Sequence, residues 1–62
     1  MEVGQKVKIV RLRERVPQDT INRLGQVGSV VSLKVVDGGL GAIVEFDDGY
    51  TTWFFDNELK PT

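Results

Sequence analysis

The sequence predicts an all-β fold: a small five-stranded barrel with one short helix in the long loop after the first strand. Three observations predict it. Short runs of β-branched and aromatic residues recur along the chain, and glycine-containing turns separate them. One long excursion, residues 13–26, carries the only helical signal. With 62 residues the chain has room for a single domain spanning 1–62.

Each element follows from local chemistry. In residues 6–12, Val7 and Ile9 alternate with Lys6, Lys8 and Val10, the period of a half-buried strand, and the alternation slips near Val10. Pro17 stops any strand. Asp19 or Thr20 is expected to cap a helix of one or two turns over residues 18–24. Ile21 and Leu24 would share its buried face, and Gly25 would end it in a left-handed conformation. Residues 27–36 hold five valines and read as the second strand, with a kink at Gly28. Residues 37–41 form a glycine-rich turn or loop. They lack the G-x-G-x-x-G spacing and the following helix that a phosphate cradle requires. Residues 42–46 and 50–55 are the third and fourth strands, joined by Asp47-Asp48-Gly49. Asp56-Asn57-Glu58 suits a 3₁₀ turn, Leu59 returns to the core, and Lys60-Pro61 adds a brief last strand. This order describes an SH3-like barrel.

Composition excludes several classes of chemistry. There is no Cys and no His, which removes disulfides, thiolate sites and N/S-ligated zinc. The fold must hold by packing, or partly by docking on a partner. The hydroxyls of Ser29, Ser32, Thr51 and Thr52 have no histidine base, and Tyr50 has no evident acid–base partner. Asp47 and Asp48 are neighbours in a turn, where Asp is favoured for local backbone bonding. No calcium-loop spacing is present. The reading is of a non-enzymatic domain with no cofactor and no metal. Apolar runs of two or three residues fall far short of the ~20 a spanning helix needs, and the N-terminus reads as neither a signal nor an anchor.

Charge and aromaticity mark the candidate contacts. The net charge is −1, with residues 1–31 at +3 and residues 32–62 at −4. That asymmetry is either a dipole that orients a partner or a set of charges neutralised by strand pairing. Arg11, Arg13 and Arg15 alternate and project to one side of an extended chain, where Arg23 could join them. Along Trp53-Phe54-Phe55, side chains alternate, so Trp53 and Phe55 face opposite to Phe54. A barrel this small buries one face. The other is either covered by residues 13–26 or offered to a partner. The candidate partner-binding residues are therefore Arg11, Arg13, Arg15, Arg23, Trp53 and Phe54.

The segments Val3-Gly4-Gln5-Lys6-Val7, Arg11-Leu12-Arg13-Glu14-Arg15-Val16, Leu24-Gly25-Gln26-Val27-Gly28 and Val44-Glu45-Phe46-Asp47-Asp48-Gly49, with the block from Thr52 to Leu59, carry a resemblance. The chain resembles the PetP family, small peripheral subunits of the cyanobacterial and red-algal cytochrome b6f complex. The resemblance implies an SH3-like domain on the cytoplasmic face of the thylakoid membrane, and the free chain is expected to be a monomer. It implies that the domain supports photosynthetic electron transport by binding cytochrome b6f subunits, and it transfers no binding residues. Two other readings stay open: a nucleic-acid-binding module of the KOW type, which the acidic second half disfavours, and an adaptor for a soluble signalling protein.

Overall fold

The computed structural model describes all 62 residues. The elements in chain order are β1 (Lys6–Ile9), α1 (Gln18–Ile21), β2 (Val27–Val36), β3 (Gly39–Glu45), β4 (Thr51–Phe55), a 3₁₀ turn (Asp56–Glu58) and β5 (Leu59–Pro61). The strands form one antiparallel sheet in the order β4-β3-β2-β1-β5. The five-stranded SH3-like architecture is present, with one difference from a closed barrel. β4 and β5 are not paired with each other, and the 3₁₀ turn bridges these two edges.

One face of this sheet makes the core: Val7, Ile9, Val30, Ala42, Val44, Phe54 and Leu59, joined by Phe46 just after β3. A single sheet can enclose its own face only by curling, and two features accommodate that. Val31 is an extra residue in the β2–β3 ladder, where the register shifts between Val30 and Ser32. Gly28, the expected kink position, permits a close approach: a Cβ there would lie 2.5 Å from Val44 Cγ1 and 2.8 Å from the Glu45 carbonyl oxygen.

The helical excursion departs most from expectation. Helix α1 spans four residues and begins after Pro17 with no side-chain cap, so neither Asp19 nor Thr20 caps it. Beyond Ile21 the chain tightens: Arg23 N–H donates to the Thr20 carbonyl and Leu24 N–H to that of Ile21. This twist turns Thr20 and Arg23 toward the sheet. Thr20 is buried, whereas Ile21 and Leu24, expected to dock, are 42% and 53% exposed. Gly25 does stop the segment in the left-handed region, at φ +87°.

The turns also sort differently. Asp37 and Gly38 both have positive φ, 49° and 78°, which makes the β2–β3 connection a tight two-residue hairpin turn. β3 therefore starts at Gly39, three residues earlier than expected, so the sheet continues through most of the glycine-rich stretch.

Candidate partner-binding site

Two arginines of the long loop reach the sheet and stack on its aromatic residues. The Arg13 guanidinium lies 3.8 Å from the Trp53 ring centroid and 5.7 Å from that of Phe55. Trp53 and Phe55 pack edge to face at 5.0 Å. Arg13 is fixed there by Glu58, whose carboxylate is buried. Glu58 Oε2 accepts the Arg13 backbone N–H at 2.7 Å. Oε1 accepts Arg13 Nη1 at 2.8 Å and the Phe55 backbone N–H at 2.7 Å. The last bond is the reach-back of a glutamate at the third position of a helical turn. With its two oxygens accepting three N–H groups, the buried side chain ties the loop at Arg13 to the end of β4.

Arg23 makes the second stack, 4.5 Å from Tyr50 and 4.9 Å from Phe46. It holds Asp48 with two parallel bonds, Nη1 to Oδ1 at 3.1 Å and Nη2 to Oδ2 at 2.8 Å. The hydrogen bonds from Arg23, then the one from the Tyr50 N–H, hold the Asp48 carboxyl below its ordinary value of 3.8. Beside it, the Thr20 hydroxyl and the Tyr50 hydroxyl are 3.1 Å apart.

These contacts redistribute the six candidate residues. Phe54 is 0% exposed and belongs to the core, so it offers no surface to a partner. Trp53 is half-buried, with Arg13 over its ring. The arginine stripe does not form, because residues 10–17 are not a strand and Arg15 has φ +60°. Arg13 and Arg23 are committed to internal carboxylates, whereas Arg11 and Arg15 are exposed and make no ion pair.

A surface that the sequence reading missed lies on the β2–β3 hairpin. Leu33, Val35 and Leu40 are 44%, 75% and 42% exposed. Leu33 pairs with buried Ala42, and Val35 with Leu40, so all three continue the core-facing side of the sheet beyond the core. The signal was the length of the valine-rich run, too long for so small a core to cover.

The comparisons with known proteins agree over nearly the whole chain. The family model described as "Cytochrome b6f, subunit Tsr0524-like" matches residues 3–60. The solution structure of the cyanobacterial cytochrome b6f complex subunit PetP has a TM-score of 0.90 and 52% sequence identity, covering 100% of this chain and 80% of that one. A Porphyra purpurea protein called Uncharacterized protein ORF65 is 32% identical over 60 residues, covering 95% of this chain and 92% of its own length. With the family model spanning nearly all of its residues, the chain belongs to the Tsr0524-like family of cytochrome b6f subunits.

Proposed function

We propose that this chain is a non-catalytic peripheral subunit of the cytochrome b6f complex, docked on the cytoplasmic side of the thylakoid membrane. It stabilises or regulates the complex in photosynthetic electron transport through protein–protein contact. It is a monomer when free. The family and the 52% identical PetP structure support the complex as partner. The observation that carries the docking is the hairpin: three large aliphatic side chains stand in solvent on a domain whose other strands hide theirs. Apolar patches of this kind mark surfaces that assembly buries. Arg11, Arg15 and the Trp53–Arg13 stack are proposed as further contacts, supplying charge and an aromatic anchor.

The test is retention on cytochrome b6f complex isolated under gentle solubilisation. Wild type is expected to co-purify. Val35→Asp combined with Leu40→Asp is expected to abolish retention while leaving the circular dichroism spectrum intact. Trp53→Ala is expected to weaken retention. A wild-type chain absent from the complex, or a hairpin variant retained like wild type, would overturn the proposal.

A further inference from the structure

The fold sorts charge by face, which the linear sequence conceals. The chain has four lysines, Lys6, Lys8, Lys34 and Lys60, and all lie in strands. Val7 and Ile9 are buried, so alternation puts Lys6 and Lys8 on the opposite, outer side of β1. Lys60 pairs directly with Lys8 and shares that side. Lys34 lies with its ammonium 5.5 Å from the Trp53 ring centroid, on the outer side of β2. The only acidic residue in any strand is Glu45. All five aspartates, Asp19, Asp37, Asp47, Asp48 and Asp56, are in helical segments or turns. A chain of net charge −1 thus presents an outer sheet face with four ammonium groups against one carboxylate.

None of these lysines makes an ion pair, and all are exposed. Lys8 and Lys60 face each other across neighbouring strands, an arrangement that costs stability through like-charge repulsion. Edge protection explains a lysine on β5, but β1 lies between β2 and β5 and is no edge. The same face carries Val27, 44% exposed, and the half-buried Trp53 and Phe55.

The geometry points to this outer face as a binding surface for anionic lipid headgroups, a contact additional to the hairpin docking proposed above. A lysine ammonium is a mobile point charge with no fixed fork, suited to a fluid plane of headgroups rather than to one matched carboxylate. The lysines are spread over β5, β1 and β2 instead of converging on a pocket. The tryptophan beside Lys34 is of the residue type that settles at a bilayer interface. Each lysine near an anionic surface strengthens binding about fivefold. The face therefore holds the chain weakly and reversibly, and a second contact supplies permanence.

The experiment is sedimentation of the full chain with vesicles of phosphatidylcholine containing phosphatidylglycerol, compared with phosphatidylcholine alone. Wild type is expected to sediment only with the anionic vesicles, and less as salt rises. Combining Lys6→Gln, Lys8→Gln and Lys60→Gln is expected to lower partitioning about a hundredfold. Arg11→Gln with Arg15→Gln, which removes exposed charge from the loop after β1 rather than from the sheet, is expected to lower it much less. No sedimentation with anionic vesicles would overturn the inference. So would equal losses in the lysine and arginine variants. If the lysine variant instead failed to bind isolated complex while wild type ignored vesicles, the face would be a contact for acidic protein, and the lipid assignment would fall. Complex retention and vesicle binding are separate readouts, so failure of either proposal is distinguishable from failure of the other.

Discussion

Arg13 and Arg23 perform the same act in two places. Each leaves the long loop between β1 and β2, stacks on an aromatic ring and ends on a carboxylate. The difference is water. The side chain of Glu58 is 2% exposed and that of Asp48 is 58% exposed, at identical 2.8 Å ion-pair distances. Matched geometry does not make matched energetics. In water the Asp48 pair competes with solvation and is screened by salt, whereas Glu58 has no solvent to fall back on. The first pair ties the loop to the core. The second latches the helical turn to the β3–β4 connection.

Glu58→Ala is expected to produce the largest effect. It removes the acceptor for three donors and leaves the half-buried Arg13 guanidinium without its partner, a loss of about 3–5 kcal/mol. Domains of this size hold roughly 0.05–0.15 kcal/mol per residue, so the variant sits near unfolding. Urea denaturation measures it, and a loss below about 1 kcal/mol would erase the contrast with exposed pairs. Tyr50→Phe comes next. It strands the buried Thr20 hydroxyl at a cost of about 1–3 kcal/mol, and Thr20→Val in the same chain is expected to recover part of the loss.

Asp48→Asn is expected to be the smallest change and shows its character through pH. The folded carboxyl titrates below its ordinary value of 3.8. Its contribution is therefore fully present above that value and is lost as pH falls through the lower, folded value. The stability difference between wild type and Asp48→Asn is expected to shrink in acid and in high salt. A difference unchanged by either would show that packing, not charge, distinguishes them.

Legibility varied with the distance between the interacting residues. Strand β2 occupies residues 27–36 as its valine content predicts, and Gly25 and the 3₁₀ turn fall where local backbone preferences place them. The helical excursion was misread because its apolar pair, Ile21 and Leu24, is less well matched to the sheet than Thr20 and Arg23. Those two find a hydroxyl and a ring on an aromatic residue about thirty positions away. The arginine stripe assumed an extended chain, and the positive φ of Arg15 removes it. Glu58 drew no attention as a site because a lone glutamate beside a turn looks solvent-exposed until Arg13 arrives, 45 residues distant in sequence.

The amino-acid order alone determined which segments hold strands, to within three residues at the start of β3, and that Phe54 must face away from Trp53 and Phe55. These properties depend on φ preferences and on a two-residue period, both set within a few neighbouring positions. Tertiary structure decided which of those faces is interior, which arginines are spent on carboxylates, and that four scattered lysines all stand on the outer side of the sheet. Register between strands creates such groupings, and register is a relation between distant residues that no local pattern contains.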